Sequence, residues 1–172
     1  MAATATRALD LIARAGVPHR VLEYEPADRH GRDRERRPDY GSDAAAALGM
    51  DRRLVHKTLA AAVDGRLVLA VVPVASELDL KRHAETVHGR RAVMASPADA
   101  ERATGYVIGG ISPLGTRQPL SVVVDADALE LDSVVVSAGR RGLQVELAPA
   151  DLVRLANAKV ASIARGAGRG VT

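Results

Sequence analysis

Two short stretches carry reactive or ligand-binding groups in unusual settings. Lys57 and Thr58 stand inside an otherwise apolar run, "RLVHKTLAAAV", residues 53–63. Its composition reads as a strand, and the two-residue period then puts Lys57 on the face of Val55 and Leu59. An inward ammonium is costly unless an anion or a water-filled pocket receives it. The other reading is an edge-strand lysine that snorkels to solvent. The second stretch, "TGYVIGGISPLG", residues 104–115, holds four glycines around Tyr106, Val107, Ile108 and Ile111. Bare backbone lets N–H groups approach a ligand closely, as anion nests and oxyanion holes require. A compact turn with glycine at positive φ would use the same residues.

Other chemistries find little support. The five histidines lack the H-E-x-x-H or short His-x-His spacing of a zinc site, so no metal or other cofactor is expected. The glycine stretch is not followed by Gly-Lys-Ser/Thr and is no Walker loop. Ser112 is the nearest candidate nucleophile, yet no G-x-S-x-G elbow surrounds it. Cysteine is absent, which removes disulfides and any protein thiol.

The elements that must position these groups can be read along the chain. Thr6 caps a first helix bearing Leu9, Ile12 and Ala13, and Gly16 stops it. "HRVLEY", residues 19–24, reads as a strand. Residues 26–39 form a charged insert without apolar period, expected to be a solvated loop. Ser42 opens a short helix that Gly49 closes. "RLVHKTLAAAV" and "RLVLAVVPV" flank Asp64-Gly65, a hairpin signal. Asp79 precedes a helix with Leu80, Ala84 and Val87 on one side. "RAVMA" is a short strand, and Ser96-Pro97-Ala98-Asp99 starts another helix. "LSVVVD", "SVVVSAG" and "GLQVEL" are strands, the last alternating with Leu143, Val145 and Leu147 on one face. Pro149 begins a final helix, and residues 166–172 are a loose tail. Strands outnumber helices and are joined by tight turns. The pattern favours an α+β domain around a largely antiparallel or mixed, curled sheet rather than a parallel βαβ stack.

At 172 residues the chain suits one domain. It has no Phe or Trp, so Val, Leu, Ile and Ala must build the core. No leader and no apolar run near 18 residues stand out, which makes a cytoplasmic protein without a membrane partner the expectation. Net charge is +3, and of 24 basic residues only Lys57, Lys81 and Lys159 are lysines. The arginine excess has two readings, a GC-rich coding bias or a weak preference for polyanions.

"YG" at Tyr40-Gly41, "HKTL" at 56–59, "VVPV" at 71–74, "LDLKR" at 78–82, the glycine stretch, and "VSAGRRGLQVEL" at 136–147 occur in one order. Together they closely resemble the YbaK/EbsC family of aminoacyl-tRNA deacylases, over about Thr4 to Arg165, with the branch acting on Cys-tRNA(Pro) nearest. The resemblance implies a trans-editing enzyme that removes cysteine misloaded onto proline tRNA, an error that a hydrophobic pocket rejects poorly. It implies a single α+β domain over residues 1–165, a curled mixed, largely antiparallel β-sheet or barrel with flanking helices, with the aminoacylated acceptor end as partner and prolyl-tRNA synthetase as a transient one. Carried over by position, the catalytic residues are Lys57, Gly109 and Gly110. Tyr40, Thr58, Ile111, Ser112, Pro113, Gly115, Ser137 and Gly139 bind substrate. Lys57 is expected to hold phosphate or stabilise charge near the ester, and the two glycines to offer N–H groups to its carbonyl oxygen. In this branch the substrate's own thiol attacks the ester, so a chain without a nucleophile is compatible. Deacylation of Ala-tRNA(Pro) and non-catalytic capture of tRNA ends are the competing readings.

Overall fold

The computed structural model describes residues 5–27 and 38–166. Most of the expected charged insert and residues 167–172 of the expected tail lie outside that range. The chain runs α1 (Arg7–Ala15), β1 (His19–Glu23), α2 (Tyr40–Leu48), β2 (His56–Val63), β3 (Arg66–Pro73), β4 (Glu77–Leu78), α3 (Leu80–Thr86) and β5 (Ala92–Met94). It continues through α4 (Pro97–Thr104), β6 (Ser121–Asp125), a 3-10 turn (Ala126–Glu130), β7 (Val134–Arg140), β8 (Leu143–Leu147), α5 (Pro149–Ala156), β9 (Lys159–Ala161) and β10 (Ala164–Arg165).

A five-stranded sheet in the order β5-β2-β3-β6-β9 forms the centre. Its β5–β2 and β2–β3 pairs are antiparallel, and its β3–β6 and β6–β9 pairs parallel. A second, antiparallel sheet runs β1-β8-β7, and β4 pairs with β10. The α+β, mixed and largely antiparallel architecture is as expected, but the sheets stay separate rather than closing into a barrel.

Local chemistry sets many of the boundaries. Asp64-Gly65 joins β2 and β3 with φ of 47° and 84°, both positive as a two-residue hairpin turn requires. Ser96 caps α4 with Pro97 at its first position. The second helix departs from expectation: it opens at Tyr40, because the Asp39 carboxylate rather than Ser42 provides the cap. Asp39 accepts from the Ser42 N–H at 3.0 Å and from its hydroxyl at 2.7 Å.

The main core gathers Leu69, Val71, Val124, Val136, Leu143 and Leu152 between the sheets, α1 and α5. A second cluster lies on the other face of β3, with Val72, Ala70, Ile163 and Ala84 of α3. A third packs Ala45 of α2 onto Val55, Val74 and Val135. The C-terminal strands are tied to the sheet by Asp125, whose buried carboxylate accepts from the N–H groups of Ile163 and Ala164, both at 2.9 Å. Among the described residues no helix is long and apolar enough to cross a membrane.

Candidate functional site

The two sheets meet at one point, and the site opens there. Val55, just ahead of β2, makes an isolated parallel bridge to Val135 of β7. Two residues further along each strand come Lys57 and Ser137, with no strand pairing between them. The β2 edge regains a partner only at Ala61, which faces Met94 of β5. Lys57 and Ser137 therefore flank a gap between diverging strands.

Lys57 faces the start of α2. A Cβ added at Gly41 would lie 3.6 Å from the Lys57 Cβ and only 2.3 Å from Val74 Cγ1. Glycine at 41 thus lets the helix start press against the end of the β2–β3 hairpin. Arg52 secures the same corner by donating to Ser42 Oγ at 3.0 Å and to the Val74 carbonyl at 3.1 Å.

The electrostatics of this corner are unbalanced. Lys57 is half-buried, and burial lowers its pKa, aided by Arg52 and opposed by Asp39 and Glu77. Burial works against ionisation of Asp39, yet the Ser42 hydrogen bonds and the charges of Lys57 and Arg52 hold its pKa below the ordinary carboxylate value. No carboxylate among the described residues comes within ion-pair reach of the Lys57 ammonium, and no acceptor hydrogen-bonds it. A desolvated cation held beside an unfilled gap is suited to an anion or a developing negative charge.

The glycine stretch makes the opposite wall. Val107 to Gly110 form a turn in which the Gly110 N–H donates to the Val107 carbonyl at 2.9 Å and Gly109 has φ +87°, as a type II turn demands at its third position. The amide of Gly110 is therefore committed within the turn, which corrects the expectation that it serves an ester oxygen. Among the described residues no acceptor meets the N–H of Gly109 or of Ile111, and these two remain as candidate donors. Gly110 contributes close approach instead. A Cβ there would stand 2.7 Å from Arg140 Cα and 2.9 Å from Arg141 N. The β7–β8 hairpin reaches that position through a bulge between Ser137 and Arg140, where Gly139 has φ +109°.

Tyr40, Lys57, Gly109, Gly110 and Ser137 are thus brought around one gap. Tyr40 is tied to Gly109, where a Cβ would sit 2.9 Å from the tyrosine ring. The other carried-over residues sit elsewhere. Thr58 alternates to the opposite face of β2 from Lys57, and its buried hydroxyl has no partner. Ile111 packs in the main core. Ser112 is fully buried and accepts from the Leu114 N–H at 3.2 Å. Pro113 and Gly115 line a groove of about 560 Å³ on the outer side of the loop, shared with Val122, Leu155 and Asn157, to which Lys57 and Tyr40 do not contribute. Gly115 and Gly139 admit neighbours: a Cβ at the first would be 2.7 Å from the Arg7 carbonyl carbon, and at the second 2.8 Å from the Tyr106 ring. Tyr106 anchors this half of the loop, donating to the Leu114 and Gly115 carbonyls at 2.7 and 3.1 Å.

Ser112 therefore lacks the exposure and the basic partner of a nucleophile. Ser112→Ala is expected to leave deacylation within about threefold and to cost roughly 1 kcal/mol of stability. Steady-state rates and a denaturation curve check both, and a hundredfold rate loss with intact stability would restore Ser112 to the chemistry.

Two residues beside the gap were missed from the sequence. Gln144 pairs across from Ser137 and shares its face, and its buried carboxamide oxygen has no partner. Gln144 shares with Glu146 the polar face of an alternating strand, so its burial left no signal in the sequence. Arg141, at the hairpin tip, leans over Tyr40.

An aminoacyl-tRNA editing domain model matches residues 38–155, a span that contains the whole gap and both its walls. The chain belongs to the YbaK/EbsC family of aminoacyl-tRNA editing proteins. It is 31% identical over 160 residues to EbsC of Enterococcus faecalis, assigned as a Cys-tRNA(Pro)/Cys-tRNA(Cys) deacylase, covering 92% of each chain. It is 30% identical over 166 residues to the multifunctional Ser/Thr-tRNA deacylase ProXp-y of Escherichia coli, covering 95% of each. A crystal structure assigned as a trans-editing enzyme for prolyl-tRNA synthetase superposes with a TM-score of 0.79 at 25% identity, over 96% of this chain and 99% of that one.

Proposed function

We propose that this editing protein deacylates cysteine misloaded onto proline tRNA, with Cys-tRNA(Cys) as a further substrate. The observation that carries the reading is the half-buried, uncompensated Lys57 ammonium facing a gap whose other wall is the Gly109 turn. The ester carbonyl lies between them. Its oxygen gains negative charge as it is attacked, and Lys57 with the Gly109 and Ile111 N–H groups stabilises that charge. One such donor is worth about 3 kcal/mol of barrier.

The nucleophile comes from the substrate. The cysteine Sγ attacks its own ester carbon, the C–S bond forms as the C–O bond to the ribose breaks, and the thiol proton passes to the leaving ribose hydroxyl. The product is a cyclic thiolactone and free tRNA. The protein's part is to hold sulfur and carbon in line, which supplies about 7 kcal/mol or more. The cysteine-free chain and the buried, hydrogen-bonded Ser112 support this division of labour. Prolyl-tRNA synthetase is the partner that would lend proline-tRNA selectivity to so small a domain.

A second reading, removal of serine or threonine, is favoured by Gln144. A buried carboxamide without a partner is costly, and a substrate hydroxyl would satisfy it. Deacylation of cysteinyl, seryl, threonyl and alanyl tRNA with product identification separates the readings. Thiolactone from the cysteinyl substrate and little turnover of the alanyl one is the expected result. Faster release of serine or threonine would replace it.

The pH profile checks the role of Lys57. Charge stabilisation needs the protonated amine, so the rate should fall as pH rises through its pKa. Burial brings that fall below the ordinary lysine value of about 10.4. With the cysteinyl substrate a rising limb near the thiol pKa of about 8.5 precedes it. A profile unchanged by Lys57→Met would remove Lys57 from the chemistry.

A further inference from the structure

Arg141 is held in a way that the gap alone does not require. Its Nε donates to the Ile108 carbonyl at 2.8 Å. Its guanidinium lies over the Tyr40 ring, 4.6 Å from the centroid. Gly109 lies between the two: a Cβ there would stand 2.8 Å from Arg141 Nε. Three segments, the hairpin tip, the start of α2 and the glycine turn, thus fix one exposed side chain. Its terminal amino groups meet no acceptor among the described residues. Arg20, Arg53, Arg82, Arg102, Arg140, Arg154 and Arg165 each face a carboxylate within 4.0 Å. Arg141 has none.

We propose that Arg141 is a preset anchor for a backbone phosphate of the tRNA acceptor end, placed at the rim of the site. A guanidinium already oriented by a stack and a hydrogen bond loses little freedom on binding, and its planar fork matches two phosphate oxygens. Depth divides the labour between the two cations. Lys57 lies half-buried beneath Gly41, where a scissile ester would reach, and Arg141 stands exposed above Gly109, where the nucleotide chain must leave. The phosphate role thereby passes from Lys57 to Arg141, and Lys57 is left to the ester. The inference rests on the proposed deacylase reading for the identity of the nucleic acid.

The test compares Arg141→Met, which keeps apolar cover over Tyr40, and Arg141→Gln with the wild type on two substrates. One is the full aminoacyl-tRNA, the other a phosphate-free aminoacyl adenosine. On the tRNA, KM is expected to rise about tenfold with kcat little changed. The slope of log affinity against log salt should shrink by about 0.7 to 1. On the phosphate-free ester both variants should stay within about twofold of wild type. An uncharged minihelix ending in CCA should bind the variants about tenfold more weakly. Equal losses on both substrates would make Arg141 a mere wall of the pocket, and unchanged minihelix binding would likewise overturn the proposal. A wild type that turns over neither ester would sink the deacylase reading instead, while minihelix binding still decides the role of Arg141.

Discussion

Lys57→Met is expected to lower kcat/KM for deacylation by about 10² to 10³, the scale of losing one well-placed stabiliser of transition-state charge. The same substitution is expected to leave stability unchanged or to raise it. Burial disfavours the protonated amine in the folded protein, so its folded pKa lies below its unfolded value. Protonation then favours the unfolded chain, and the native state carries that cost at any pH below the folded pKa. Removing the amine relieves the cost, and the gain should shrink as pH rises through that value. Thermal melts at two pH values and single-turnover rates measure both halves. A variant that melts like the wild type and deacylates at its rate would take Lys57 out of the site. Both results together would mark Lys57 as a residue that serves activity at a cost to the fold.

Gly110→Ala tests the other wall and should be nearly as severe. The three atoms nearest the added methyl are Arg140 Cα, Arg140 C and Arg141 N, all backbone and none free to swing aside. The glycine turn must lift from the hairpin, carrying Gly109, the Arg141 anchor and the ester-facing amides with it. Misplacement of that order costs about 10² in rate, and the overpacking costs about 1 to 3 kcal/mol. Gly16→Ala is the matched control. Gly16, unlike Gly110, has positive φ, +67°, and a Cβ there meets nothing within 4 Å, so only backbone strain is added. It should lower stability by about 1 to 2 kcal/mol and leave the rate per folded molecule unchanged. Equal activity in the two glycine variants would mean that the turn need not sit where it does.

Much of the frame was legible because local chemistry decided it. Asp64-Gly65 sets a hairpin whatever surrounds it, and Ser96-Pro97 starts a helix by the same token. The strands Glu77–Leu78, Lys159–Ala161 and Ala164–Arg165 were not legible, because two or three residues have no period and owe their conformation to partners far along the chain. The start of α2 was misplaced because Asp39 and Ser42 are both good caps and only packing at Gly41 selects between them.

The site divides in the same way. Lys57 announced itself as a charge in an apolar strand. The glycine stretch announced a need for bare backbone, but not which residues met which neighbours. Gly109 and Gly110 border the gap, whereas Gly115 yields space to α1. Thr58 was carried over with the resemblance, whereas adjacent residues in a strand face opposite ways and its hydroxyl lies on the other side of β2 from Lys57. Arg141 and Gln144 became visible only once the bulge at Gly139 had bent the hairpin tip over the turn.

The carboxylate of Asp125 has a consequence for how the protein is made. It sits on a central-sheet strand, buried, and accepts from the Asp127 N–H through one oxygen and from the Ile163 and Ala164 N–H groups through the other. Until Ile163 and Ala164 leave the ribosome, a nascent chain that closed its core would enclose one oxygen of that side chain without its two donors. Closure of the central sheet is therefore expected late in synthesis, once residues 163 and 164 are available. A product ending before residue 163 would be left open at the sheet and exposed to proteolysis.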